Sequence, residues 1–306
     1  MMGSTARLWL GACALVLSTS CGFQATASGG SDGGVDAAPP DTPGPSCAGV
    51  TCDAHASCAV TGGAATCMCN TGWSGTGLTC ADVDECATAN GGCAAACENT
   101  AGSFVCYAPK TCAEVKAHGR TADGSYALYF GGNAAKSWTA HCVDMATAPK
   151  EYLALPNANT AQYKAGNASP GTDVNTRYNE VRLDPMTLMV DVNDRRFATS
   201  TGMVNHANSG TMATSMAFGF AMDCKDYLSG DGVAVIDLGG TPFALPGAGA
   251  LAPGGNMPGS TQTTTGQKVT LHGGGFCGWF GPAVGAVGNG PFNNNAAGKT
   301  FPILYP

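Results

Sequence analysis

The sequence predicts a mainly β, multidomain chain in which small disulfide-rich modules precede a larger β-rich domain. Three observations lead there. Among 306 residues there are 16 cysteines, crowded into the first half of the chain, a density suited to small cross-linked units. Glycine reaches 45 residues, which favours turns over helix. Segments of alternating apolar and polar residues also outnumber segments with a helical period.

Charge is mildly acidic, with 14 basic against 21 acidic residues. No clustered basic face is available for phosphate backbones, so nucleic acid is excluded as a partner class.

The first twenty residues read as a targeting segment. Arg7 supplies a positive start, Leu8–Leu17 an apolar stretch, and Ser18-Thr19-Ser20 a small-residue run ahead of Cys21. The arrangement resembles a bacterial lipoprotein signal, which implies Cys21 as the lipidated mature N-terminus. Leu17 stands one place further from the cysteine than in that pattern, and Leu10–Cys13 has the better spacing but few apolar residues before it. An ordinary cleaved signal with free secretion is the other reading, and either way the mature protein is extracytoplasmic. The apolar stretch is too short to span a bilayer, which takes about 20 residues. Loss of Arg7 leaves 13 basic against 21 acidic residues, 13 − 21 = −8. Residues 21–46 are rich in Gly, Ser, Ala, Asp and Pro and cannot bury a core, so they read as a flexible tether.

Beyond Cys21 fourteen cysteines remain in groups of six, four and four, and an even count in an exported chain implies bridges. Over residues 47–80 the spacing is C-x4-C-x5-C-x8-C-x-C-x10-C, with Gly72, Trp73, Gly75 and Gly77 between the last two. This resembles an EGF-like module, whose bridges run first to third, second to fourth and fifth to sixth. The resemblance implies Cys47–Cys58, Cys52–Cys67 and Cys69–Cys80. A zinc knuckle would need thiolates in a reducing compartment, against the export signal.

Asp82, Asp84 and Glu85 then fall within four positions of a chain only 11% charged. Carboxylates that close repel one another unless a cation sits among them. Asp82-Val83-Asp84-Glu85-Cys86, with Cys97-x-Asn99-x4-Phe104-x-Cys106 beyond it, resembles the calcium-binding EGF-like signature. That resemblance implies side-chain oxygens from Asp82, Glu85 and Asn99 and carbonyl oxygens from Val83, Thr100 and Ser103, with Asp84 a supporting, outward carboxylate. Calcium takes six to eight such oxygens, and extracellular sites of this kind have dissociation constants of about 10⁻⁴–10⁻³ M. Residues 82–109 form a truncated version of the module. The fifth cysteine of the pattern should fall at Ala108, so only Cys86–Cys97 and Cys93–Cys106 are implied. The lower half is either missing or replaced by Tyr107 and Pro109 packing onto the C-terminal segment.

That 111–306 segment opens with a short helical run, Ala113–His118, and passes into strand-type alternation at Tyr126, Leu128 and Phe130. In YNEVRLD, Val181 and Leu183 face one side while Glu180, Arg182 and Asp184 face the other. VAVIDL and KVTLH are further strand candidates. The blocks DGSYALYFGG, CVDM, PKEYLALP, FAMDCKDY, KVTLHGGGFCGW and GKTFPILYP resemble, in order, the GON domain found at the C-terminus of certain secreted metalloproteases. Asn157–Thr176 is shorter than usual for that family, so different loops are expected there. Cys112, Cys142, Cys224 and Cys277 allow three connectivities; Cys112–Cys142 and Cys224–Cys277 close the shorter loops and suit the family's order.

No catalytic pattern stands out. The five histidines, His55, His118, His141, His206 and His272, contain no HExxH pair, and there is no G-x-S-x-G elbow. His206 and His272 beside glycines, Asp144 and the Asp194-Arg195-Arg196 run read as structural or surface groups. The expectation is a non-enzymatic, calcium-binding, surface-anchored adhesion protein meeting an extracellular protein or glycan and touching the membrane only through its N-terminal lipid. A metallopeptidase-associated protein with an unrecognised site and a purely structural envelope component are the alternatives.

Overall fold

A computed structural model describes residues 44–225, 230–247, 249–255, 260–283, 290–296 and 298–306. The signal segment, Cys21 and all but the last three residues of the tether lie outside the described residues. About half of the chain is strand and 6% helix, so the mainly β expectation holds, with a disulfide-rich region preceding a large sheet domain.

The disulfide-rich region is built on three small hairpins. β1 (Ala56–Thr61) pairs with β2 (Ala64–Cys69), β3 (Trp73–Gly75) with β4 (Cys80–Asp82), and β5 (Ala96–Thr100) with β6 (Ser103–Tyr107). Between β1 and β2 the turn is Gly62-Gly63, both at positive φ, as a two-residue turn matching the strand twist requires. The structure bonds Cys47–Cys58, Cys52–Cys67 and Cys69–Cys80 across the first two hairpins, and Cys86–Cys97 and Cys93–Cys106 around the third. Apart from Cys67, Gly77 and Pro109, the described residues up to Thr111 are not fully buried, so cross-links stand in for a core here.

The sheet domain starts with α1 (Cys112–Ala117). Its N-cap is Thr111, whose hydroxyl accepts from the Glu114 backbone N–H at 3.1 Å. The helix therefore begins one residue before the expected Ala113, and His118 is its C-cap. Among the described residues, fourteen strands come after it. In order they are β7 (Gly124–Tyr129), β8 (Ser137–Val143), β9 (Lys150–Lys164), β10 (Gly171–Asp184), β11 (Met189–Asp191), β12 (Ala198–His206), β13 (Thr211–Ala213), β14 (Ala221–Asp223), β15 (Gly232–Asp237), β16 (Leu251–Gly254), β17 (Thr261–Thr265), β18 (Lys268–Gly273), β19 (Gly278–Pro282) and β20 (Thr300–Pro302).

β9 is where the sheet's branches meet. It pairs antiparallel with β8 and β10, touches β15 at Thr160, and runs parallel to β14 through Gln162–Lys164. From these neighbours the pairing continues through β12 to β13, through β19 to β16, through β18 to β17, and through β11 to β20. A bulge interrupts the β9–β10 pair: Tyr178 faces Asn159 but Glu180 faces Ala154, leaving surplus residues around Pro156 on β9. Proline offers no ladder N–H, and a bulge is where a sheet tolerates it.

The same bulge shifts the burial parity of β10. Val174, Thr176 and Tyr178 are buried before it, Val181 and Leu183 after it. The alternation read from YNEVRLD is therefore present, but only beyond the bulge. Asn157–Thr176, where altered loops were expected, is mostly strand, and only residues 165–170 connect β9 to β10. Cys112–Cys142 ties α1 to β8, and Cys224–Cys277 joins the end of β14 to the turn before β19.

One continuous apolar core underlies this sheet, including Phe218, Phe220, Ile236, Phe243, Phe292 and Phe301. Lys299 is also buried: its ammonium donates to the Pro282 carbonyl at 2.9 Å and lies 5.3 Å from the Trp279 ring centroid and 5.6 Å from that of Phe220. Ring faces and a carbonyl offset part of its lost hydration, and burial lowers its pKa from the usual lysine value. Replacing the fully buried Phe301 on β20 by alanine should cost about 3–5 kcal/mol in a denaturant titration. Thr263→Ala on the exposed β17 should stay within about 0.5 kcal/mol.

Candidate calcium site

The site is built at the seam between the second and third hairpins. Asp82 is the last residue of β4, opposite Trp73, and the next residue, Val83, donates its N–H to the Gly72 carbonyl at 2.9 Å. Asp82 also reaches forward into the next module. Its Oδ1 accepts from the Gly102 N–H at 2.5 Å, and its Oδ2 accepts from the Asn99 amide at 2.7 Å. Those two donors hold the carboxyl below the usual aspartate range, the Gly102 bond being the larger cause.

Asn99 reaches this carboxylate because β5 and β6 form a tight hairpin. Thr100 and Ser103 face each other at its end, and the Thr100 hydroxyl donates to the Ser103 carbonyl at 2.9 Å. Asp84 is exposed and caps the 3₁₀ turn Glu85–Ala87 by accepting from the Ala87 N–H at 3.2 Å. Glu85 lies within that turn. One of its carboxylate oxygens, Oε2, is buried and has no hydrogen-bond partner.

A buried carboxylate oxygen without a donor carries a desolvation cost that a cation would remove. Glu85 follows Asp82 by three residues, and its unpartnered oxygen, like the Asp82 carboxylate and the Asn99 side-chain carbonyl, is an oxygen donor of the type a hard divalent ion such as calcium takes. Of the residues expected to bind, the structure brings Asp82 and Asn99 into contact and sets Thr100 against Ser103. Val83 is engaged through its N–H.

An aromatic contact crosses the same seam. Trp73 stacks on His55 with ring centroids 3.6 Å apart, and its other neighbour is the hairpin tip at Gly102. A Cβ added at Gly102 would lie 2.5 Å from Trp73 Nε1, and one at Gly72 would lie 2.1 Å from the Gly102 carbonyl oxygen. Both glycines also have positive φ. Sequence reading did not select Gly102, although glycine at the end of a short hairpin is a visible signal.

On the other side, the truncated module ends directly on the sheet domain. Tyr107 stacks on His118 at 3.7 Å, His118 pairs with Glu98, and the Pro109 carbonyl accepts from the Tyr129 N–H at 2.8 Å. Of the two outcomes left open for the lower half, the structure shows replacement by this packing.

The remaining candidate polar groups of the sheet domain are engaged. His141 pairs with Glu180 at 2.8 Å, His272 bonds the Gly230 carbonyl at 3.0 Å, and Asp144 pairs with Arg196 and Lys150. Asp194 accepts from the Tyr152 hydroxyl at 2.8 Å. Of the structural and surface roles expected for this run, Arg195 takes the structural one: it is half-buried, donates to the Met216, Asn193 and Asn293 carbonyls, and has its pKa lowered by desolvation.

Residues 82–125 match the family model described as a calcium-binding EGF domain. The match runs past β6 into the sheet domain, where Cys112 is bonded to Cys142 outside it. Among curated proteins, the chain is 49% identical over 57 residues to uromodulin of Mus musculus, covering 18% of this chain and 9% of that one. It is 48% identical over 58 residues to adhesion G protein-coupled receptor L4 of Rattus norvegicus, covering 18% and 8%. The chain thus spans less than a tenth of the length of these relatives. No solved structure matches it.

Two outcomes test the seam. Gly102→Ala should separate the hairpin from Trp73, read as a change in tryptophan fluorescence with the disulfides intact. The Asp82 contact should respond to acid: with its folded pKa depressed, its stabilisation is present above the ordinary value of about 3.9 and lost as pH falls through the folded value. Asp82→Asn should abolish that acid-dependent change in fluorescence.

Proposed function

We propose that the chain is an extracytoplasmic, calcium-binding adhesion protein in which a cross-linked, calcium-stiffened stalk presents the sheet domain to a protein or glycan. The observation that carries this reading is the orphaned Glu85 oxygen three residues beyond Asp82, whose carboxylate bridges the module seam, in the segment that matches the calcium-binding EGF model. In this reading Asp82, Glu85 and Asn99 hold the ion through side chains and Val83, Thr100 and Ser103 through carbonyls. The ion neutralises Glu85 and adds a tie between β4 and the β5–β6 hairpin. At the millimolar calcium of extracellular fluids a weak site of this kind is occupied and acts as a clamp.

Seven disulfides among the described residues suit an oxidising compartment. Lipid attachment at Cys21 would hold the chain on the surface and leave the tether to space it outward. The sheet domain, 111–306, is read as a GON domain on its sequence blocks. It carries a surface cavity of about 550 Å³ beside the junction with the stalk, lined by Glu151, Arg182, Asp184, Met189 and Asp191 among others, which offers a mixed polar and apolar face to a ligand.

Limited proteolysis tests the clamp. Chelation of calcium should increase cutting near Ala81 while the first six-cysteine module stays intact, and an unchanged cleavage pattern would refute it. Binding is tested with the purified chain on arrays of extracellular proteins and glycans. Specific, saturable binding is expected, and its absence would favour a purely structural role.

A further inference from the structure

The sheet of the C-terminal domain ends in open edges, and one of them is undefended. Among the described residues five of its strands pair on one side only: β7, β13, β16, β17 and β20. An open edge offers its N–H and C=O groups to any other strand, and proteins guard it with proline, charge or a covering segment. β16 contains Pro253 and β20 contains Pro302. In the three-residue β13 the Met212 carbonyl accepts from the Asn293 amide at 2.8 Å. β7 is met by the stalk, whose Pro109 carbonyl accepts from the Tyr129 N–H at 2.8 Å. β17 reads TQTTT, without proline or charge, and all five of its residues are exposed.

Its turn fixes which groups face outward. β17 joins β18 through Gly266-Gln267, with Gly266 at a φ of 60°, as the first position of a type II′ hairpin turn requires. Thr265 and Lys268 close that turn as a hydrogen-bonded pair. Alternation along an antiparallel ladder then directs the backbone groups of Thr261, Thr263 and Thr265 to β18, and those of Gln262 and Thr264 away from it. No described residue bonds the Gln262 and Thr264 groups. Gln262 and Thr264 stand opposite the buried Leu271 and Val269, so the side chains of Thr261, Thr263 and Thr265 take the solvent face.

We propose that β17 is a homotypic contact through which two copies of the chain continue the sheet across a two-fold axis at Thr263. Gln262 of each copy faces Thr264 of the other as a hydrogen-bonded pair, and the four resulting N–H···O bonds use every outward group of both strands. Thr263 faces its own counterpart at the closer spacing between those pairs, and Thr261 faces Thr265 on either side. Cross-strand threonines are favourable neighbours, and like charges directly opposite are not; this strand sets none against its copy. For a chain of net charge −7, an uncharged strip is also where a second copy approaches with least repulsion. A two-fold contact closes on itself, so assembly stops at the dimer. Pairing of two five-residue strands falls short of the roughly 1,200–2,000 Å² of a standard interface, so the dimer is weak and forms where the chain is concentrated. It needs neither the calcium clamp nor a ligand in the cavity beside the stalk.

Sedimentation velocity of the full, oxidised chain tests this. Monomer and dimer should exchange as concentration rises from micromolar to millimolar, equally with and without a calcium chelator, and amide exchange at Gln262 and Thr264 should slow over the same range. Thr264→Pro removes an outward N–H and blocks the edge, a change that an edge strand tolerates, and should leave the chain monomeric. Thr263→Lys and Thr263→Glu, on the solvent face, should each weaken dimerisation roughly fivefold at low ionic strength, and a mixture of the two should form the mixed dimer in preference. Circular dichroism checks that each variant folds. A native chain that stays monomeric, a species larger than a dimer, a dimer that chelation dissolves, or a Thr263→Lys chain that associates as well as the native one overturns the proposal.

Discussion

Sulfur takes the place of a core between Cys47 and Cys106, and the candidate calcium site depends on that substitution. Modules this short cannot bury enough apolar surface to offset chain entropy, and among their described residues only Cys67, Gly77 and Pro109 are fully buried before the sheet domain begins. Each bridge closes a short loop, contributing about 2–4 kcal/mol, and holds a hairpin whose tip carries the useful groups. Asp82 stands two residues beyond Cys80, and Asn99 two residues beyond Cys97. Without Cys69–Cys80 and Cys86–Cys97, nothing in these segments would keep that carboxylate and that amide within 2.7 Å.

The sheet domain solves the same problem differently. Its core is continuous, and its two disulfides join elements already ordered by strand pairing and burial. β9 organises it by pairing with four neighbours, and the bulge at Pro156 lets one long strand serve two differently facing parts of the sheet.

The cross-linked modules were legible in the amino-acid sequence because their structure is dictated locally. Cysteine spacing, turn glycines and a carboxylate run all act within about forty residues, and together they named Asp82, Glu85 and Asn99 as a group. Alternation likewise revealed the later half of β10, where Val181 and Leu183 are buried. Three features were decided only by tertiary structure. The bulge that reverses parity after Tyr178 depends on what β10 pairs with, and the Gly102–Trp73 contact depends on how two modules meet. The gathering of Tyr163, His206, Cys224 and Cys277 joins residues up to 114 positions apart. Each is a contact between segments whose separate sequences carry no record of the other, so only the packed sheet and the docked hairpins could bring them together.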